Sequence, residues 1–352
     1  MNRQIGSRTL SSLRMCGIVA AALLLVSAPL SAQTPKPVMP DSVRDYVSTA
    51  IGAFRSHSVH RSEVDWTALE DSVLARAGKA QTPAETWLAL TWALRRVDRH
   101  SFLMPPERMM AAMTGGMSPQ APHPVESRPL GRLLDGSIGL VTVPPHGGRN
   151  RPAYVDSLRT QLLALDSAGV CGWVVDLREN TGGNMWPMLA GIGPLLGAEL
   201  VGSFTDSAPG SGWRYRDGRS WLGSSPPPDE PLGWGTMTAP RLAHADAPVA
   251  LLVGRETASS GEMVMVAFLG RPGVRSFGDS TAGFASANTS VPLRDGATML
   301  VTSSYPRDRL GRTYALQIAP EEVVPPNDSE ADAPLRRAVA WLQRQPGCAV
   351  RQ

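Results

Sequence analysis

A short stretch in the C-terminal half of the chain leaves few choices of fold, because an apolar strand there runs through a small-residue turn into a helix. The run Pro248-Val-Ala-Leu-Leu-Val253 is typical of a buried strand, and Gly254 ends it. The turn Glu256-Thr-Ala-Ser-Ser-Gly-Glu-Met263 follows, and apolar residues continue at helical spacing to Leu269. This pattern puts Ser259 and Ser260 at a helix N-terminus, where unpaired backbone N–H groups can stabilise an oxyanion. A catalytic serine is one interpretation.

The same residues also fit an ordinary helix cap. Serine followed three residues later by glutamate forms a capping box, and Ser259 with Glu262 has that spacing. The local sequence leaves both interpretations open.

Strands and helices alternate through the C-terminal two thirds of the chain. Strand, helix and strand in succession predict a parallel sheet with right-handed crossovers, and hence an α/β fold. Adjacent glycines, Gly182 and Gly183, lie between a strand and a helix, where the backbone can approach a ligand and present N–H groups. The predicted order is strand 137–143, helix 154–168, strand 171–177, helix 185–196, strand 249–253, helix 262–269, strand 273–278, a meander of strands at 290–293, 298–302 and 313–316, and a closing helix 333–343.

The preceding residues carry helical patterns and then a Met-, Pro- and Gly-rich stretch. We expect a helical region at 33–106, a loop or flap at 107–136, and a core at 137–345 that contains an insertion at 201–247.

The first 32 residues predict a cleaved secretory signal peptide, with arginines, then the apolar run 17–26, then small residues ending at Ala32. A retained membrane anchor is the alternative, although the run is short for a span of about 20 residues. No later stretch is long and apolar enough to cross a bilayer, so we expect no span in the mature chain. Two cysteines remain, Cys171 and Cys348, and they are either joined or unpaired.

The net charge of +3 is small and gives no indication of nucleic-acid binding. Histidine is the usual general base near neutral pH, and His100 closes the helical region in the segment Asp98-Arg-His-Ser-Phe102. His146, after a core strand, is the reserve candidate. The other histidines have no metal-ligand spacing, so we expect neither a metal nor another cofactor.

Four spaced segments together resemble one family: 175–183, 257–263, 278–283 and 293–296. The chain is similar to the C-terminal processing (tail-specific) serine peptidases, whose α/β core is crotonase-like and ClpP-like. The resemblance implies that Ser259 is the nucleophile. It also implies that the N–H group of Ser260 forms the oxyanion hole with Gly182 or Gly183.

The chain departs from the commoner family pattern in two ways. Phe284 stands where many members have a catalytic lysine, and no lysine follows Lys79. About thirty residues separate the His-Ser segment from the first core strand, which is too few for a PDZ domain. Both departures resemble the branch of nisin-resistance proteins and the tricorn core, which pairs serine with an N-terminal histidine. The resemblance implies that His100 is the base, and Ser101 or Glu321 could orient its ring.

The sequence therefore predicts a periplasmic or extracellular serine peptidase that acts on peptides or proteins through an acyl-enzyme. A non-catalytic peptide-binding protein on the same fold and an exported esterase or amidase are the alternatives. An esterase would be favoured by a G-x-S-x-G elbow, which the Ser259 turn lacks. No feature of the sequence indicates an oligomeric state.

Overall fold

The structure is a computed structural model that describes residues 38–113, 128–135, 137–147, 150–225, 238–324 and 332–348. Helices and short strands alternate along these residues. The α-helices are α1 (Asp41–His57), α2 (Trp66–Ala77), α3 (Trp87–Val97), α4 (Pro106–Met113), α5 (Arg151–Ser167), α6 (Met185–Ile192), α7 (Ser260–Phe268) and α8 (Ala333–Gln343). The strands are β1 (Phe102–Met104), β2 (Gly131–Leu134), β3 (Ile138–Thr142), β4 (Gly172–Asp176), β5 (Leu200–Phe204), β6 (Gly212–Arg216), β7 (Arg219–Gly223), β8 (Val249–Val253), β9 (Val274–Gly278), β10 (Ala287–Pro292), β11 (Thr298–Ser304), β12 (Pro306–Asp308) and β13 (Glu322–Val323).

A six-stranded sheet in the order β13-β9-β8-β4-β3-β2 organises the molecule. Each neighbouring pair from β3 to β13 is parallel, and β2 alone joins the edge antiparallel. The predicted α/β fold with a parallel sheet and βα units is confirmed. Because parallel strands end at the same edge, the loops after β4, β8 and β9 lie side by side there.

Both faces of this sheet are covered, which explains why its central strands are continuous apolar runs. On β8, Val249, Leu251 and Val253 pack with helices α5, α6 and α7, whereas Ala250 and Leu252 pack against α8. This alternation follows the two-residue period of a strand.

The N-terminal helices pack on a second, three-stranded sheet in the order β1-β11-β10. Asp295 fixes the turn between β10 and β11, because its carboxylate accepts hydrogen bonds from the Tyr46 hydroxyl and the Trp87 indole, each at 2.9 Å. Strand β1, which the sequence did not predict, pairs antiparallel with β11. The segment just after His100 is therefore held by β11, a strand that lies far downstream in the chain, with Phe102 opposite Leu300.

The predicted insertion contributes β6, β7 and most of β5 to an antiparallel sheet in the order β12-β5-β6-β7, with a register shift between β5 and β6. One further stretch differs from the prediction. The predicted strand at 313–316 is wrong: Thr313 makes only an isolated bridge to Arg307, and β12 takes its place by pairing with β5. Helix α4 and strand β2 lie at the ends of the predicted flap, whereas residues 114–127 and the predicted signal peptide lie outside the described residues.

Cys171 and Cys348 form a disulfide, with 5.0 Å between their Cα atoms. It ties the start of β4 to the chain just after α8. Among the residues that the structure describes, none of the helices has both the length and the apolar character needed to span a bilayer.

Candidate active site

The turn between β8 and α7 holds Ser259 in an unusual backbone conformation. Ser259 has φ of 51° and ψ of −116°, a region that residues with a Cβ rarely occupy. Thr257 fixes the start of the turn, because its hydroxyl donates to the Leu177 carbonyl at 2.8 Å and accepts from the Gly254 N–H at 3.0 Å. Strain of this kind persists only where the surroundings hold it, and it is common at active sites. The turn presents the Ser259 side chain at the sheet edge, partly exposed.

The Gly182–Gly183 turn packs directly against Ser259. A Cβ on Gly182 would lie 2.9 Å from the Ser259 Cβ, and one on Gly183 would lie 2.1 Å from the His146 carbonyl oxygen. Both glycines also have positive φ, 106° and 114°. Only glycine therefore fits at either position.

The backbone N–H groups around Ser259 are not equivalent. The N–H of Gly182 donates to the side-chain oxygen of Asn180 at 3.0 Å. Among the hydrogen bonds of the described residues, none uses the N–H of Gly183 or of Ser260, the first residue of α7. These two groups are therefore the available donors for an oxyanion beside Ser259.

The two adjacent serines have different environments. The Ser260 side chain is buried, and its hydroxyl donates to the Gly183 carbonyl at 2.7 Å. That bond joins the N-terminus of α7 to the glycine turn. The Ser259 hydroxyl has no such carbonyl partner among the described hydrogen bonds, and its side chain takes part in a capping box with Glu262.

Glu262 holds this turn and the next loop together. Its carboxylate is fully buried and accepts four hydrogen bonds. Two come from the N–H groups of Ser259 and Phe284, each at 2.8 Å, and two come from the Thr281 hydroxyl at 2.5 Å and the Gly283 N–H at 3.0 Å. Burial raises the pKa of Glu262, and the four donors act in the opposite direction by favouring the carboxylate.

His100 lies between α3 and β1 and is mostly buried. The Nδ1 atom of its ring is 2.7 Å from the Ser286 hydroxyl, and the ring centroid is 5.4 Å from that of Phe284. The backbone N–H of His100 donates a hydrogen bond to the Asp98 carboxylate at 2.7 Å. Burial lowers the pKa of His100 below its ordinary 6.5, and the negative charge of Asp98 opposes that shift. The imidazole is therefore neutral at pH 7.

The loop 281–286 connects His100 to the serine turn. Glu262 holds both Ser259 and Phe284 through their N–H groups, and the Phe284 ring and Ser286 hydroxyl contact the His100 ring. No hydrogen bond among the described residues joins His100 to Ser259 directly. Hydrogen bonds between catalytic groups are often long in ligand-free enzymes and shorten when substrate binds.

Other residues named from the sequence have partners elsewhere. The Ser101 hydroxyl accepts from the Thr302 N–H, and the Glu321 carboxylate accepts from the Ser276 N–H. The His146 ring packs against Tyr154 with 4.5 Å between centroids, and its backbone pairs with the glycine turn. Ser286 contacts His100 instead, and no motif in the sequence marked that serine.

No three His, Cys, Asp or Glu side chains in the described part of the chain cluster in a way that could hold a metal ion.

Comparison with known proteins agrees with the fold described above. The sequence profile of the peptidase family S41 matches residues 137–324. The nisin-resistance protein of Lactococcus lactis subsp. lactis is 27% identical over 314 residues, which cover 88% of this chain and 89% of that protein. A lipoprotein from Streptococcus agalactiae has a similar structure, with a TM-score of 0.65, 23% identity and coverage of 88% of this chain and 99% of that one. The photosystem II D1 C-terminal processing protease also has a similar fold, with a TM-score of 0.56, 16% identity and coverage of 87% and 98%. Within the described residues no PDZ domain lies between His100 and β3.

The buried Glu262 carboxylate gives a test of how the turn is held. Glu262→Gln puts an amide NH₂ against N–H or O–H donors, and leaving such donors unsatisfied costs about 1–3 kcal/mol each. We expect the free energy of unfolding to fall by about 2–5 kcal/mol, measured by urea denaturation. Glu256→Gln, an exposed glutamate on the same turn, is the matched control and should be neutral. Equal stability of the two variants would contradict this account.

Proposed function

Because this chain belongs to peptidase family S41, we propose that it is a serine peptidase in which Ser259 is the nucleophile and His100 is the general base. The observation that carries the proposal is the pair of serines at the start of α7. Ser259 is held on a strained turn beside the glycine backbone, whereas the Ser260 hydroxyl is already bonded to Gly183. A reactive serine on a tight turn before a helix is what acyl transfer needs.

The proton path starts at the unprotonated Nε2 of His100. For Nε2 to accept the Ser259 proton, the Nδ1 atom carries the hydrogen and donates it to the Ser286 hydroxyl, 2.7 Å away. We therefore give Ser286 the role of orienting the ring, in place of Ser101 or Glu321. The lowered pKa of His100 keeps it in the basic form at neutral pH.

Ser259 then attacks a peptide carbonyl, and negative charge develops on its oxygen. The N–H groups of Gly183 and Ser260 would stabilise that charge, since the Gly182 N–H is bonded to Asn180. His100, now protonated, gives its proton to the leaving amine. Water releases the acyl group from Ser259 by the same path.

Export is part of the proposal. The predicted signal peptide and the Cys171–Cys348 disulfide both fit an oxidising compartment outside the cytoplasm. A lipoprotein and a nisin-resistance protein are among its relatives, which agrees with a location in the cell envelope. Nisin is accordingly one of the peptides to test as a substrate.

A fluorophosphonate probe tests the nucleophile. We expect the probe to label the wild-type protein but not Ser259→Ala, and we expect Ser259→Ala to cleave peptides roughly 10³-fold more slowly or worse. Ser260→Ala, the neighbouring control, should keep labelling at a reduced rate, because the glycine turn loses one anchor. The double variant Ser259→Ala/His100→Ala should be little worse than either single one. A protein that binds peptides without cleaving them would leave Ser259 unlabelled.

The pH profile tests the role of His100 and its partner. Because burial lowers the pKa of His100, the acid limb of the kcat/KM profile should have its midpoint below pH 6.5. Ser286→Ala removes a hydrogen-bond acceptor that stabilises the protonated ring of His100, so the pKa of His100 should fall and the acid limb of the kcat/KM profile should move to lower pH. We also expect kcat to fall about tenfold. Ser290→Ala, exposed on β10, is the control. A shift of the acid limb to higher pH would mean that Ser286 donates to Nδ1, and this proton path would be wrong.

Intact mass measured on protein recovered outside the cytoplasm tests export. We expect a chain that begins near Gln33 and lacks the two thiol hydrogens of Cys171 and Cys348. A mass that includes residues 1–32 would instead favour a retained membrane anchor.

A further inference from the structure

Helix α3 carries apolar side chains on its solvent side as well as on its core side. The core side is ordinary, because Leu90 and Leu94 are buried against the second sheet and its neighbouring helices. On the solvent side, Leu88 is 86% exposed, the largest exposed fraction among the large hydrophobic residues of the described chain. A shallow, open depression there is lined by residues at the spacing of a single helical face: Leu88, Thr91, Trp92, Arg95 and Arg96. The outer face of a helix in water is normally polar, so this one is unusual.

The cations on this face are not neutralised by ion pairs. Arg95 and Arg96 are exposed in the last turn of α3, and neither forms an ion pair within the described part of the chain. Arg76, at the end of α2, also has no acidic partner there, and its guanidinium carbon lies 3.8 Å from the centroid of the Trp92 ring. Stacking of this kind holds a positive charge directly over an apolar surface.

Nearby acidic groups do not cancel this charge. Glu85, one turn before Leu88, accepts hydrogen bonds from the Gln81 N–H at 3.0 Å and the Thr82 hydroxyl at 3.1 Å. Asp98, just after α3, is bonded to the backbone of its own loop and to a side chain of β11. Glu85 thus contributes one negative charge against three arginines, and the face keeps a net positive charge around its apolar centre.

This combination of side chains matches the surface of an anionic bilayer. Tryptophan is enriched at the boundary between head groups and acyl chains, and leucine enters the same region from amphipathic helices. A stable protein–protein interface takes about 20–30 residues on each side, whereas this face is one side of an 11-residue helix together with Arg76. A lipid surface needs no such area, because each arginine close to anionic lipid strengthens binding about fivefold.

We propose that this side of α3 docks the protein on an anionic phospholipid membrane. Leu88 and Trp92 enter the head-group region, and Arg76, Arg95 and Arg96 bind lipid phosphates. The contact uses none of the first 32 residues and is independent of the proposed peptidase activity. A chain that has lost its signal peptide is therefore still held at a membrane surface.

Binding to vesicles tests this proposal. We expect the exported protein to bind vesicles made of equal parts phosphatidylcholine and phosphatidylglycerol but not phosphatidylcholine alone, and added salt should release it. Arg95→Gln/Arg96→Gln should weaken binding about 25-fold, because two cations are lost. Leu88→Gln should weaken it about tenfold, because an inserted apolar side chain is lost. These positions are exposed, so the substitutions leave the core unchanged.

Matched variants elsewhere separate this face from general charge attraction. Arg44→Gln/Arg55→Gln removes two exposed arginines from α1 that have no ion pair in the described structure. Leu316→Gln changes a leucine after β12 that is 76% exposed. Since charges beyond the screening length contribute little, neither variant should change vesicle binding by more than about twofold.

Fluorescence quenching identifies the residue that enters the bilayer. Bromine-labelled phosphatidylcholine in the anionic vesicles quenches tryptophans that reach the lipid, and the chain has nine tryptophans. We expect quenching in wild type and its loss in Trp92→Phe, which keeps an aromatic ring for Arg76. Trp341→Phe, on α8, should keep the quenching. This measurement also holds for a chain that retains residues 1–32, since they contain no tryptophan.

Three results would overturn the proposal. The first is absence of binding to anionic vesicles, or equal binding to anionic and neutral ones. The second is a loss in Arg44→Gln/Arg55→Gln as large as that in Arg95→Gln/Arg96→Gln, which would indicate general charge attraction without a dedicated face. The third is self-association of the wild type in sedimentation velocity that Leu88→Gln abolishes, without vesicle binding, which would assign the face to a second copy of this chain.

Discussion

The carboxylate of Glu262 is the interaction on which the candidate site depends. It is buried without a countercharge, and its four donors come from two separate loops. A carboxylate removed from water is stable only where donors of this kind surround it, so the two loops are held to one arrangement. One loop carries the serine turn, and the other carries Phe284 and Ser286, which contact His100. The single buried Glu262 side chain therefore fixes the Ser259 turn and the loop that contacts His100 together.

The rest of the architecture supplies the frame for that arrangement. The parallel strands bring the loops after β4 and β8 to one edge, where the glycine turn and Ser259 meet. The three-stranded antiparallel sheet holds His100 from outside the parallel core, because β1, which follows His100, pairs with β11. Each of these two sheets thus positions one of the two candidate residues, Ser259 or His100.

The sequence was informative where one physical pattern dominates. Apolar runs such as Val249–Val253 predicted the strands of the parallel core, and the small residues around Ser259 predicted the turn between β8 and α7. Prediction from the sequence failed where contacts between distant parts of the chain determine the local structure. Strand β1 has three residues, too few for a periodicity, and exists because β11 pairs with it. Ser286 contacts His100 only because two segments 186 residues apart in the chain meet in the fold, and the residues next to Ser286 in the sequence give no indication of that contact. The predicted capping box between Ser259 and Glu262 is present, and it holds the same turn that presents Ser259, so the cap and catalytic-serine interpretations do not exclude each other.

The pairing of β1 with β11 has a consequence for the newly made chain. Phe102 lies opposite Leu300, so the segment that follows His100 has no sheet partner until nearly the whole core has emerged. Contacts this distant in sequence form late, because the intervening loop must close first. Until β11 has joined β1, His100 therefore has no fixed position relative to the Ser259 turn. Any chemistry that needs both residues has to wait for completion of the fold.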